Sequence, residues 1–324
     1  MIQNKGEQMR GEAMATIRSK KKLLISLIFF IVFSISFLAP YKLKNRSDYI
    51  VSSYNTNIVL NSDGSAYFED QVSYRIVKAG QPLEKQMHLK DASSIEDLEV
   101  IRLIARGEEA EKEVALKPTD EDLKADTEYY EYIEIDKDEN LYTIRLSPDT
   151  KRGDKLTYIY RYRLEDFVFL YKDTAALYCK FIGSDDPIDY HKIRVSIKFP
   201  QSNTYSVEGY IGGSLYKEKG IDDRGNFIFE VKRVGARYSL FLDLLMPLDN
   251  FPQGRKLIDN LSRAELLDEM KSSEFMADRS HSRYRDWLRF SIIGAIFLSF
   301  FMTTILFWVY KAINKLKKRE DRSK

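Results

Sequence analysis

Asp185, Asp186 and Asp189 fall within five residues around Pro187. Ca²⁺ takes several oxygen ligands from a flexible loop, and such a run could supply them. Aspartate also stabilises turns by bonding its own backbone, so the same spacing serves a turn without metal. No metal is expected, and these three are the candidates if one binds. His88, His191 and His281 are scattered, with no local acid or cysteine spaced for ligation or a triad. Cys179 lies inside Leu177-Tyr178-Cys179-Lys180-Phe181, which reads as a small packed residue rather than a nucleophile. No Gly-x-Ser-x-Gly elbow, His-Glu-x-x-His helix, phosphate loop or dinucleotide fingerprint occurs. Catalytic residues and cofactors are therefore both expected to be none. Paired-carboxylate hydrolysis depends on spatial pairing, and no spacing in the chain points to it.

The elements that would position these residues follow from composition and charge. The 324 residues carry 51 Lys+Arg against 49 Asp+Glu, with 21 Tyr and 19 Phe but few Gly and Pro. That balance excludes a disordered chain or a fibrous repeat, and the aromatics favour extended, half-buried structure. A single cysteine excludes an intramolecular disulfide and a cysteine zinc site. Residues 1–22 and 311–324 are basic, at +4 and +5, so the stretch between them is net acidic at −7.

Inside each basic end lies an uncharged apolar run, Leu23–Ala39 and Phe290–Tyr310. The second is 21 residues long, about 31 Å as a helix, enough to cross a hydrocarbon core of about 30 Å. Trp287 and Trp308 flank it as aromatic belts do, and positive flanks face the cytoplasm. The first run reads equally as a signal peptide or a first transmembrane helix. The expected organisation is a cytoplasmic basic region 1–22, signal peptide or membrane helix 23–40, extracytoplasmic β-rich domain 41–250, juxtamembrane helical stalk 251–287, transmembrane helix 288–310 and cytoplasmic tail 311–324. The basic tails read as topology determinants, so the expected partner is the lipid bilayer, and no nucleic acid is expected.

Between the runs, alternation dominates. Leu156, Tyr158, Tyr160, Tyr162 and Leu164 share one face, and Ile193, Val195, Ile197 and Phe199 repeat the pattern, with Lys192, Arg194 and Lys198 outward. One-sided burial belongs to antiparallel sheet. Asn61-Ser-Asp63-Gly64, Asp136–Asn140 and Asp222–Asn226 supply hairpin turns. The fold class is mainly β, an antiparallel sandwich-like region of one or two sheets or subdomains, with a juxtamembrane helix and two apolar helices at the chain ends. Residues 105–128, rich in charge around Pro118, read as a solvated loop with a short helix. Leu261-Ser262-Arg-Ala-Glu265-Leu266 carries a capping box and hydrophobic staple, which starts a helix of about four turns ending near Ser280. In the second apolar run Ser291, Ala295, Ser299 and Thr303 recur every four residues, a stripe that suits close helix–helix packing with a second copy or another membrane protein.

Two segments resemble a known family. Asn57–Glu69, with Asp63-Gly64 at its turn, is similar to the opening hairpin of a bacterial family of predicted membrane proteins, the domain of unknown function numbered twenty-two-oh-seven. Asp173-Thr-Ala-Ala-Leu177-Tyr178-Cys-Lys-Phe181-Ile182-Gly183, then Pro187-Ile188, resembles that family's second block. The resemblance covers roughly residues 49–250 and implies an exported β-rich region followed by membrane helix, with no catalytic residues to transfer. Met87-His88-Leu89-Lys90 stands where the family carries an arginine-containing segment, and the further membrane helices common in the family are not matched here. The expected function is that of a cell-envelope protein whose exported domain makes protein or envelope contacts. The alternatives are a ligand-binding sensor acting through a partner and a membrane-tethered hydrolase of wall polymer.

Overall fold

The computed structural model describes residues 47–88, 94–106, 109–116, 132–138, 141–201, 204, 206–214, 217–254 and 261–320. The chain divides into two compact units, Ser47–Ser282 and one comprising the two chain ends. Among the described residues the first unit holds fifteen strands: β1 (Tyr49–Leu60), β2 (Ala66–Ile76), β3 (Leu83–His88), β4 (Ile95–Arg106), β5 (Glu109–Leu116), β6 (Tyr132–Asp138), β7 (Leu141–Ser147), β8 (Lys155–Leu164), β9 (Phe169–Leu170), β10 (Ala175–Ile182), β11 (Tyr190–Lys198), β12 (Glu208–Gly212), β13 (Lys217–Ile221), β14 (Phe227–Val234) and β15 (Leu240–Met246). A 3-10 turn, Leu248–Asn250, and a helix α1, Arg263–Glu320, follow.

Sheet A runs β13-β14-β11-β1-β2-β8-β4-β5 and sheet B runs β12-β15-β10-β3-β7-β6, with β9 beside β10. Among the described residues every pairing is antiparallel except β1 with β11, which is parallel. Inward residues of both sheets, among them Ile58, Phe68, Val72, Tyr158, Leu177, Val195, Phe229 and Leu244, form one continuous core. The β region is therefore a single sandwich. Alternation explains it directly: Leu156, Tyr158, Tyr160, Tyr162 and Leu164 are all buried on one face of β8, and Arg161 on the other pairs with Glu69 of β2 at 2.9 Å. The Asn61–Ser65 turn closes with Gly64 at φ +86°, and Asp63 accepts from the Ser65 amide at 3.0 Å.

Two expectations are corrected. Part of the stretch 105–128 is strand, since β5 pairs with β4 at the end of sheet A, while residues 117–131 lie outside the described residues. Its charge density mimics a loop, but edge strands carry charge for their own reason, which is to deter edge-to-edge pairing. The helix also does not end near Ser280. It continues through Glu320, because the residues from His281 to Arg289 contain neither Gly nor Pro to stop it.

The expected apolar helix at residues 23–40 lies outside the described residues. The second run, Phe290–Tyr310, lies within α1. Among the described residues no helix is long and apolar enough to cross a membrane. The large apolar side chains described there, including Ile296, Phe297, Phe300, Phe301 and Trp308, are nonetheless exposed.

Candidate functional site

Each sequence candidate has a defined place. Asp186 is buried, accepting from Tyr190 Oη at 2.6 Å and from the Ile188 amide at 3.0 Å. Burial pushes its carboxyl above the ordinary range despite the Tyr190 bond. Asp189 accepts from Arg233 Nη2 at 3.0 Å and the Ala236 amide at 3.3 Å. Asp185 is exposed. Asp186 and Asp189 thus serve separate partners, and no group of His, Cys, Asp and Glu among the described residues is arranged to hold a metal. Cys179 faces the core, where burial pushes its thiol far up, the opposite of what a nucleophile needs. His281 and the stripe Ser291, Ala295, Ser299 and Thr303 have side chains outside the described residues.

His88 ends β3 opposite Lys180 of β10, and its Nε2 is buried without a hydrogen-bond partner among the described residues. Burial, then Lys180, holds its imidazole down at about 4. Gly183 leaves the room it needs: a Cβ there would sit 2.6 Å from both His88 Nε2 and Asp185 Oδ1.

Deep in the sandwich, Lys85 of sheet B meets Asp70 of sheet A at 3.0 Å. Lys85 Nζ donates to Tyr54 Oη at 2.6 Å, while Thr56 and Tyr162 hydroxyls donate to Asp70 at 2.8 and 3.1 Å. Burial presses the Lys85 ammonium down, but Asp70 and Tyr54 outweigh it and keep the group charged. The network is sealed from solvent and fixes how the sheets face each other.

The outer face of sheet B is covered by the first turns of α1. Leu266 and Met270 pack on Phe169, Tyr171, Ala176, Tyr210 and Leu245, with Tyr178 and Leu261 at the margin. The Ser262 amide donates to Glu265 Oε2 at 2.8 Å, as the capping box requires. Asp173 accepts from the Arg263 amide at 2.7 Å, and the Arg263 guanidinium reaches Thr174, Ser206 and Glu208. The block Asp173–Gly183 is therefore strand β10 with its flanks: Leu177, Cys179 and Phe181 fill the core, and Asp173, Ala176 and Tyr178 receive the helix.

The outer face of sheet A stays open. A groove of about 830 Å³ crosses β13, β14, β11 and β1, lined by Lys192, Arg194, His191, Lys232, Lys217 and the pair Glu218 and Glu230, with Ser53 and Asn55 alongside. That volume falls within the range of ligand sites, roughly 300–1,000 Å³. The ladder lapses in its middle. His191 pairs with Arg233 and Ile193 with Val231, and between them Lys192 and Lys232 share the skipped position. Lys192 adopts φ +48°, uncommon for a residue with a side chain. At the same level β1 carries a bulge between Val51 and Ser53. Arg194 pairs with Glu230 at 3.5 Å, and Glu230 lies directly opposite Glu218. Lys217, at the rim, reaches Glu274 at 2.5 Å and Asp278 at 2.9 Å on α1, and donates to the Ile211 carbonyl.

Sequence reasoning placed Lys192, Arg194 and Lys198 on an outward face and missed Lys217, Lys232, Glu218 and Glu230. The charged alternation Phe227-Ile-Phe-Glu230-Val-Lys232 carried the signal for half of them.

Among solved structures the chain is similar to a candidate protease from Parabacteroides distasonis, at 10% identity and TM-score 0.32, covering 62% of this chain and 41% of that one. It is also similar to leukotriene A4 hydrolase from Saccharomyces cerevisiae in two structures, at 12% and 10% identity and TM-scores 0.35 and 0.34, covering 61% and 60% of this chain and 29% of each of those. The chain thus spans less than half the length of each, and likeness this distant says nothing of activity. No curated protein matches the chain. Residues 51–246 match the family described as "Predicted membrane protein (DUF2207) N-terminal domain", the β1–β15 sandwich almost end to end, and the chain belongs to that family of predicted membrane proteins.

Proposed function

We propose that this is a cell-envelope membrane protein whose sandwich stands on the extracytoplasmic side and acts by binding a partner rather than by chemistry. The observation that carries the reading is α1: it begins docked on sheet B and runs without a break through Phe290–Tyr310, where the described apolar side chains are exposed. Exposed aromatic and aliphatic side chains in that density suit lipid rather than water. The basic residues Lys311, Lys315, Lys317 and Lys318 beyond the run favour a cytoplasmic C-terminal tail. Ser291, Ala295, Ser299 and Thr303 are the contact stripe for a second copy or another subunit's helix.

The test is cross-linking in intact cells followed by affinity purification of the tagged chain and mass spectrometry. The expected result is a membrane partner in near-stoichiometric yield, lost when Ala295→Leu and Ser299→Leu fill the stripe. Recovery of the chain alone overturns the partner reading. A hydrolase would need two carboxylates flanking a bound glycan. The facing pair in the groove, Glu218 and Glu230, is exposed on a sheet face, which favours binding over hydrolysis.

A further inference from the structure

The groove on sheet A combines three features that a merely solvated face does not need. Lys192 and Lys232 occupy the same skipped position of the β11–β14 ladder, and neither has an ion-pair partner among the described residues. Like charges opposed across a sheet cost stability, so their pairing calls for another cause. Lys192 also holds its left-handed backbone in the middle of a strand, the kind of strain that collects at functional sites. The surface there is concave and crosses four strands.

Further basic groups, Arg233 and Arg75, act on His191 beside these lysines. His191 lines the same end of the groove, and burial, then Arg233, presses its imidazole below its ordinary value, with Arg75 adding to the effect and Asp189 opposing it. The acidic pair lies further along, where Glu230 is engaged by Arg194. Ser53 and Asn55 on β1 add neutral hydrogen-bonding groups. An anion seated between Lys192 and Lys232 would relieve their mutual repulsion and gain two charge-assisted bonds.

We propose that this groove binds phosphate-bearing anions, with Lys192 and Lys232 as the principal contacts and His191, Asn55 and Ser53 beside them. The site belongs to the sandwich and stands whether or not the membrane orientation proposed above holds. Its phosphate could come from a soluble polymer or from a lipid headgroup, and the two are distinguished by experiment.

The full-length chain in phosphatidylcholine nanodiscs is titrated with short-chain inorganic polyphosphate, and separately tested for co-sedimentation with phosphatidylglycerol vesicles against phosphatidylcholine vesicles. Binding in the first arm assigns a soluble phosphate polymer, and binding in the second alone assigns a headgroup. In either arm affinity should fall as salt rises. Lys192→Asn with Lys232→Asn should weaken it about tenfold or more, the loss expected when charge-assisted contacts are removed. Asparagine tolerates the left-handed backbone at 192, and an unchanged near-UV circular dichroism spectrum establishes that the variant is folded. Lys198→Asn, outward on the same strand but outside the groove, should leave binding unchanged. Absence of binding in both arms, or binding that the double substitution leaves intact, overturns the proposal.

Discussion

On sheet B the outward residues Ala176, Tyr178, Tyr210 and Leu245 are apolar and lie under Leu266 and Met270 of α1, whereas on sheet A the outward residues Lys192, Arg194, Glu230 and Lys232 are charged and open to solvent. Both faces come from the same two-residue alternation. What differs is the residue type at the outward positions. A strand apolar on both faces, such as β10, must be covered on both, and the chain provides the cover itself. A strand charged outward, such as β11, has its outer face free, and concavity with strained backbone then marks where a ligand can sit. The two faces meet at Lys217, which lines the groove and ion-pairs with Glu274 and Asp278 of the helix covering the other sheet.

The comparison can be broken from inside. Asp70→Ala would leave Lys85 charged and unpaired in the core, and should cost about 3–5 kcal/mol in urea unfolding of the full-length chain. Because this pair joins the two sheets, helix docking and groove should both suffer. Removing both partners as Asp70→Leu with Lys85→Met should recover most of that loss.

Substitution on the covered face should separate the two faces. Leu266→Ala empties a buried contact beneath α1 and should cost about 2–4 kcal/mol. The predicted signature is faster hydrogen exchange at residues 263–282 with groove residues unaffected. Equal acceleration on both faces would mean that the faces are not independent.

Acid gives a smaller effect. His88 is held at about 4 when folded, below its usual 6.5, so the unfolded chain takes up the proton first as pH falls. The stability this contributes is complete above about 6.5 and lost between there and about 4. Since the ring is partly exposed, the loss should be about 1–2 kcal/mol rather than the full shift. Lys180 and Lys85 oppose its protonation and Asp185 favours it, while Asp186, with its carboxyl raised, acts in the opposite sense. His88→Gln should flatten the unfolding midpoint against pH over this window. Smallest of all, Lys192→Asn with Lys232→Asn should change stability by no more than about 0.5 kcal/mol, since both side chains are exposed.

Much of the sandwich was legible in the sequence, because alternation and Asp-Gly turns act locally. β1, β2, β7, β8, β11 and β14 lie where periodicity puts them, and Ser262 and Glu265 form the capping box their spacing announces. Pairing was not legible. Nothing local tells that β11 lies parallel beside β1, or that Asp173, about ninety positions earlier, receives the start of α1. The Asp70–Lys85 pairing was invisible for the same reason, although alternation alone puts Asp70 on the face of Phe68, Val72 and Tyr74 and Lys85 on the face of Leu83 and Met87. Of the groove, Lys192 and Arg194 were legible as an outward basic face. Their concavity and the opposition of Lys192 to Lys232 arise from strand order, which no single segment encodes.

The most direct test of the account is cysteine labelling in intact cells with a membrane-impermeant maleimide. Cys179 is buried in the core and gives a quiet background. New cysteines are placed at Arg194 on the open face and at Ala176 beneath α1. The account predicts rapid labelling at 194 without permeabilisation and protection at 176 until the protein is unfolded. Labelling at 194 only after the membrane is opened would contradict the extracytoplasmic placement of the sandwich, and equal labelling at the two positions would contradict the covered and open faces on which the functional reading rests.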